Sequence, residues 1–371
     1  MPDAVTPAGP ILAVRPDGMG DVLLTGPAVR ALAAAGRTVT FLAGPDGAAA
    51  ARLLPGVDEV ITWRLPWIDP QPPPVTAAGV AALTRRLRLA RVTEAVIFTS
   101  FHQSPLPTAL LLRMAGAARI SAISEDYPGS LLDVRHRFDA DVPEAERNLS
   151  LAAAAGFRLP RGDDGRLALT GPLPDAAWLT GPAPYVVVHP GASAPARAPS
   201  PAQAAAIVAS LAKAGMRVVV TGGPAERGLT ARAAGGVAAD LGGRTTLPML
   251  AAVLAGAAVA VVPNTGAAHL AAAAGTPVVS LFAPVVPWPR WRPYGVPAAA
   301  LGDPAAPCAG SRARACPVPG HPCLDGIDPE EVRAAVVEVG GPALAGTAPA
   351  GTAPAGTAPA RTELAETGAS Q

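Results

Sequence analysis

Strand-length apolar runs alternate with helix-length segments twice over, on either side of a polar stretch. No other feature limits so strongly what this chain can fold into. In the first set, residues 11–15, 38–43, 59–63 and 95–100 read as strands, with a weaker candidate at 120–123. Helical spacing occupies 22–35 and 76–91, and a further helical stretch at 145–156 closes the set. Residues 160–184 are rich in Gly, Pro and Asp, with a short candidate strand at 166–170, and read as a linker. The alternation then restarts, with strands at 185–189, 217–221, 258–262 and 277–282. The helices of this second set fall at 201–215, 225–235, 247–257 and 265–275. Strands separated by helices pair in parallel and carry helices on both faces, so two doubly wound α/β domains facing a cleft are predicted. A chain of 371 residues with 50% hydrophobic content has the length and the apolar material for two cores. Ligands of such sheets bind beyond the carboxyl ends of the strands.

Charge and composition exclude several roles. A net charge of +1 gives no reason to expect nucleic acid as a partner. No apolar run is long enough for a membrane span, leaving peripheral membrane contact at most. The first ten residues lack the basic start and apolar run of a signal peptide, so a cytoplasmic location is expected. The three cysteines, Cys308, Cys316 and Cys323, cluster in one stretch, and their odd number argues against a disulfide scaffold. With His321 they offer three thiolates and an imidazole, yet the spacing lacks the short Cys-x2-Cys knuckle of structural zinc. Reduced thiols in a surface loop are expected instead, with no metal and no cofactor.

Four segments at predicted strand ends carry polar chemistry. Arg15-Pro16-Asp17-Gly18-Met19-Gly20-Asp21 follows the first strand, and its glycines let the backbone approach a ligand. An acid at the tip would repel a pyrophosphate, so Asp21 suits taking a proton from a substrate hydroxyl, or else capping the helix. Gly26-Pro27 should kink or restart that helix, since proline removes a backbone donor. His189-Pro190-Gly191-Ala192-Ser193 with Arg197 combines a tight turn, a hydroxyl and a guanidinium, which fits phosphate or a plain surface turn. In Thr221-Gly222-Gly223-Pro224-Ala225-Glu226, Gly222 permits close approach, and Glu226 either accepts from a ribose or base or serves as a first-turn acid. Finally, Asn264, Thr265 and Gly266 open a small-residue helix with His269 one turn in, and free N–H groups there suit a diphosphate. His102 and Gln103, after the strand at 95–100, and Gly18 and Gly20 are candidates for the acceptor side.

Taken in order, these pieces resemble the family 9 glycosyltransferases, the heptosyltransferase-like group. The resemblance runs from Ile11 to Val339 and rests on residues 20–28, His189-Pro190-Gly191, Gly242-Gly243-Arg244-Thr245 with Leu247, and Asn264-Thr265-Gly266 through His269-Leu270 to Gly275-Thr276-Pro277. It implies the GT-B fold, two Rossmann-like domains, and inverting, metal-independent transfer from an ADP-sugar, a heptose above all, to a glycan or glycoconjugate. By position it implies Asp21 as general base, Arg197 near the donor phosphates, and Thr265, Gly266 and His269 in the diphosphate loop with Asn264 beside them; Ser193, Gly222 and Glu226 are added to the donor side from the residue types of their own segments. One residue departs from the pattern: Asn264 stands where the family usually has Asp, which removes a negative charge beside the donor. That departure keeps a non-catalytic nucleotide-sugar binding protein as an alternative, beside a sugar-nucleotide epimerase of the same fold.

The domain limits expected are an acceptor-side domain at 1–165, a linker at 166–184, and a donor-binding domain at 185–327. A last helix at 328–340 should pack toward the first domain, with Asp328-Pro329 at its start. Residues 346–360 repeat Gly-Thr-Ala-Pro-Ala three times, and with nothing to bury, the tail at 341–371 is predicted to be disordered. Arg290, Arg292, Arg312 and Arg314 form either a solvated basic rim or an attraction for an anion.

Overall fold

The computed structural model describes residues 9–341 and residue 344. The repeat at 346–360 lies outside them. Two parallel six-stranded sheets account for the architecture. The first comprises β1 (Ile11–Arg15), β2 (Val39–Ala43), β3 (Glu59–Thr62), β4 (Glu94–Ile97), β5 (Arg119–Ile123) and β6 (Val134–His136), in the order β3-β2-β1-β4-β5-β6. The second comprises β7 (Val186–Val188), β8 (Val218–Val220), β9 (Ala239–Asp240), β10 (Val259–Pro263), β11 (Val278–Leu281) and β12 (Ala298–Leu301), in the order β12-β11-β10-β7-β8-β9. Each sheet therefore reverses its strand order once, between β1 and β4 and between β7 and β10. The central strands read as unbroken apolar runs because helices bury both of their faces; every residue of β1, β2, β7, β8, β10 and β11 is buried. One buried apolar cluster runs continuously from the first sheet to the second.

Most predicted elements form close to where they were read, and the exceptions have local causes. The expected helix at 22–35 begins earlier and is two helices, Met19–Leu24 and Gly26–Ala33, broken at Thr25 where Pro27 cannot donate. The edge strands β6, β9 and β12 carry too little apolar pattern to be read: Val-Arg-His, Ala-Asp and three alanines with one leucine. The helix Leu106–Ala115 was also missed, since Pro105 and Pro107 mask its start. No strand forms at 166–170; instead Thr170 donates its N–H to the Leu53 carbonyl at 2.7 Å. Asp163, early in the linker, receives Arg30 at 2.6 and 2.8 Å, tying that segment to the first domain.

The last helix, Pro329–Gly340, starts as the sequence indicates, with the Asp328 side chain accepting from Glu330 N–H at 2.9 Å. Its packing differs from expectation. Val332, Ala335 and Val336 enter the core of the second sheet, and its main contacts are with helix Pro201–Lys213 and β10 to β12. The buried apolar stripe of this helix finds its match there and not on the first domain. The cysteines also depart from expectation. Cys308 and Cys323 are buried in that same core, with only Cys316 partly exposed, and all three are free thiols. Burial, reinforced by Cys308 and Cys316, pushes the Cys323 thiol up to about 11. Among the described residues, no group of His, Cys, Asp and Glu is arranged to hold a metal, and no helix is long and apolar enough to cross a membrane.

Candidate active site

The two strand-order reversals face each other, and between them lies a cavity of about 320 Å³. The turn after β1 and the helix it opens contribute Gly18, Gly20 and Asp21; the turn after β7 contributes Ser193 and Arg197, and the start of the helix after β10 contributes Thr265, Gly266 and His269. A pair of glycines allows this meeting. A Cβ on Gly20 would lie 2.8 Å from His269 Cδ2 and 3.2 Å from Gly266 Cα, while one on Gly266 would lie 3.2 Å from Gly20 N. A side chain at Gly20 would run into the His269 ring and the Gly266 backbone, and one at Gly266 would have to displace Met19 and crowd Gly20. Gly20 is thus an interdomain contact as well as a cavity residue.

On the first-domain wall, four charged groups share one buried knot. Arg15 is fully buried at the end of β1. It meets Asp17 at 2.8 Å, Asp21 at 2.7 Å and Glu144 at 3.6 Å, and donates to Ser100 Oγ at 2.9 Å. Burial disfavours its charge, but the three carboxylates outweigh that and hold its pKa above the ordinary value. Burial pushes the Asp17 carboxyl up, against the pull of Arg15. Glu144 is wholly buried and neither of its oxygens accepts a hydrogen bond. Among these acids Asp21 alone keeps substantial exposure, 24% of its side chain, and reaches the cavity. Its backbone carbonyl, not its carboxylate, accepts from Thr25 Oγ1, and the helix start has no side-chain cap. The capping alternative for Asp21 is therefore set aside.

The second-domain wall pairs one cation, Arg197, with a helix N-terminus. Thr265 caps the helix Gly266–Ala273, its Oγ1 accepting from Ala267 N–H at 3.3 Å. Arg197 lies in the turn Pro195–Arg197, and its buried Nε has no partner. Burial lowers the pKa of Arg197, with Asp21 across the cavity acting in the opposite sense. His269 is buried, and its Nδ1 also has no partner. Burial first, and Arg197 second, lower its pKa to about 4. Two unpartnered buried nitrogens beside a helix N-terminus suit an anionic guest.

Because the folded chain keeps His269 neutral, only the unfolded chain takes up its proton as pH falls below about 6.5. The stability this contributes is present above pH 6.5 and is lost progressively down to pH 4, up to roughly 3 kcal/mol. His269→Gln should flatten that part of the profile, as read from urea midpoints at pH 7 and pH 4.5. An equal slope in both proteins would mean that His269 does not carry it.

Several sequence candidates have other duties. Asn264 lines the cavity, but its amide pairs with one backbone residue: Nδ2 donates to the Ala283 carbonyl at 3.3 Å and Oδ1 accepts from Ala283 N–H at 3.4 Å. This buried clamp joins the ends of β10 and β11 and needs a donor that Asp lacks. Asn264→Asp should therefore cost about 1–3 kcal/mol of stability by leaving the Ala283 carbonyl facing a carboxylate; an unchanged urea midpoint would refute the clamp. Glu226 spends Oε2 on Gly223 N–H at 2.6 Å, so the first-turn role is realised. Its Oε1 stays at the cavity because Gly191 has no Cβ, which would fall 1.8 Å away. Gly222 does not line the cavity; a Cβ there would meet Thr230 Cγ2 at 2.6 Å, so it serves packing. Gln103 donates to Asp17 at 2.6 Å and accepts from Ser100 N–H at 2.9 Å, which makes it a support for the knot. His102 lies beside it, outside the cavity, where partial desolvation first and Arg312 second lower its pKa. The sequence reading missed Asp46, Val286 and Trp291, which line the cavity from loops or a four-residue helix without any motif of their own.

Comparison with known proteins identifies the fold and the family. The E. coli ADP-heptose lipopolysaccharide heptosyltransferase II is similar in structure, at 19% identity and a TM-score of 0.68, covering 88% of this chain and 98% of that one. The glycosyl transferase family 9 structure from Veillonella parvula gives 16% identity and a TM-score of 0.70, covering 90% and 97%. The E. coli heptosyltransferase WaaC with ADP gives 21% and 0.62, covering 82% and 97%. At such identities these are likenesses of fold, and the fold is GT-B. No curated protein matches the sequence. The sequence model described as glycosyltransferase family 9 (heptosyltransferase) matches residues 82–321, well over half of the chain, and the chain belongs to that family of glycosyltransferases.

Proposed function

We propose that the chain is an inverting, metal-independent transferase that moves a sugar from an ADP-sugar to a hydroxyl of a glycan or glycoconjugate. One E. coli relative is named for ADP-heptose, and the other is a heptosyltransferase solved with ADP; carried to this chain, they make heptose the sugar. The observation that carries the reading is the placing of Asp21 opposite Arg197, His269 and the Thr265–Gly266 helix start in one cavity. In the reaction the acceptor oxygen attacks the anomeric carbon, Asp21 takes the hydroxyl proton, and the bond from that carbon to the diphosphate breaks. Arg197 and the free N–H groups at Thr265–Gly266 meet the charge that develops on the leaving ADP, which supplies the neutralisation within the protein. Glu226 Oε1 is available to a ribose hydroxyl. Residues 1–165 take the acceptor, 185–327 the donor, and 166–184 connect them, in a protein acting in the cytoplasm with at most peripheral membrane contact. The alternative of a non-catalytic binder rested on Asn264, and the clamp to Ala283 accounts for that residue without it.

A donor screen tests the proposal. ADP-heptose at 100 times its Kd should stabilise the protein by about 2.7 kcal/mol, while GDP-, UDP- and dTDP-sugars at the same concentration do not. Stabilisation by one of those in place of ADP-heptose would overturn the donor assignment.

A further inference from the structure

The carboxyl ends of β11 and β12 face a second and larger cavity, about 940 Å³, that opens between the domains. Phe101 and Asp141 line it from the first domain, and Phe282, Trp288, Arg290 and Leu301 from the second. Val286 belongs to the walls of both cavities, so the two adjoin. Rings and prolines dominate this wall. Phe282 and Trp288 meet edge to face, their centroids 4.9 Å apart, which braces the indole. The Arg290 guanidinium lies 4.6 Å from the Phe101 centroid and is already paired with Asp141 at 2.6 Å. Arg312 stands exposed at the rim, 5.6 Å from the same ring.

Topology separates this space from the donor. A nucleotide sugar held at the β7/β10 reversal and reaching toward Glu226 runs to the β8 side of the second sheet, whereas β11 and β12 lie on the other side. The same cavity touches the base through its support. Phe101 sits in sequence between Ser100, which accepts from Arg15, and Gln103, which donates to Asp17. The chain segment that holds the partners of Asp21 thus also builds a wall of the larger cavity.

We propose that this cavity is the subsite for the body of the acceptor, and that it takes an apolar, ring-bearing aglycone in preference to a phosphorylated, polyanionic sugar. The inference rests on the transferase reading above. A ring packed against the apolar walls of this cavity can present a hydroxyl past Val286, which borders both cavities, toward Asp21. Arg290 is compensated by Asp141, so among the described residues beside Phe101 it is Arg312 that remains to meet an anionic group. Bringing several charges against these apolar walls carries a desolvation cost that one rim cation does not offset.

The test is a calorimetric titration of the full chain with a naphthyl β-glucoside and with methyl β-glucoside. The naphthyl compound should bind at least tenfold more tightly, and saturating ADP should not displace it. Ala300→Trp, at an exposed position of β12 on the cavity wall, should cut that affinity at least tenfold with ADP affinity unchanged. Phe101→Ala should weaken it as well and serves as the second variant. Equal affinity for the two glucosides, displacement by ADP, or indifference to both substitutions would overturn the subsite. Tight naphthyl binding lost in both variants, in a protein that binds no ADP, would support the subsite while removing the ADP-sugar donor.

Discussion

Asp21→Asn should lower kcat for sugar transfer by roughly a hundred- to ten-thousandfold, the range expected for loss of a positioned general base, while ADP-sugar still binds. The change is close to isosteric. Asn Oδ1 can keep the hydrogen bond from Arg15 Nη2, which spans 2.7 Å in the native site, so the loop and the cavity should hold their shape. What disappears is the carboxylate proposed to receive the hydroxyl proton. Neither Asp17 nor Glu144 can substitute, because Asp17 is pinned by Arg15 and Gln103 and Glu144 is wholly buried. Donor affinity by titration should stay within about threefold, since the groups proposed to hold the diphosphate lie on the opposite wall, and a factor of three is well below one tenfold step of 1.4 kcal/mol. Turnover equal to that of the native enzyme would remove Asp21 from the mechanism.

Arg15→Met should destabilise the folded chain by about 3–5 kcal/mol, the cost of removing one partner from a buried ion cluster. Arg15 is fully buried and is shared by three carboxylates. Without it, Glu144 retains only Arg147 at 3.6 Å, and Asp17 retains only the amide of Gln103. Several contacts in the knot are close ion pairs without good hydrogen-bond geometry; Arg15 Nε and Nη1 have no hydrogen-bond partner. Their worth is therefore charge compensation, which is why deletion of the one cation should be so costly. Arg15→Lys should lose part of this amount, because an ammonium keeps the charge but lacks the planar fork that reaches several partners. Combining Arg15→Met with Asp17→Asn and Glu144→Gln should recover much of the loss in urea unfolding, since neutral partners no longer need the cation. If Arg15→Met alone leaves the urea midpoint unchanged, the knot contributes nothing to stability.

How much of this was open to inspection in the sequence varies with how local its cause is. The α/β alternation is written in short-range periodicity, so β1, β2, β7 and β10 fall where the apolar runs are. The Gly26-Pro27 break is equally local, because a missing N–H acts within one turn. The strands β6, β9 and β12 were not legible, since each is defined by pairing to an existing edge and carries little apolar pattern of its own. The cavity residues Trp291 and Val286 were illegible for a similar reason: nothing near them in sequence signals the space they border.

The loop Val262 to Ala274 shows the division most clearly. Its residue types alone indicate an anion-receiving helix start, because small residues and a capping Thr265 expose backbone N–H groups wherever the helix is placed. The role of Asn264 could not be read that way. Whether an amide faces a guest or a neighbouring strand depends on Ala283, nineteen residues away in sequence and reached only through β11. The same holds for the knot at Arg15, whose partners Ser100 and Glu144 come from distant segments, and for the meeting of Gly20 with Gly266. By itself the sequence determined two doubly wound domains, the loops that carry the chemistry, and Asp21 as a candidate base beside its alternative as a helix cap; that Asp21 is more accessible than Asp17 and Glu144 came from the folded chain. Only the tertiary structure decided which polar atoms are spent on folding and which are left for a ligand, because burial and pairing across segments far apart in sequence set the cost of every charge.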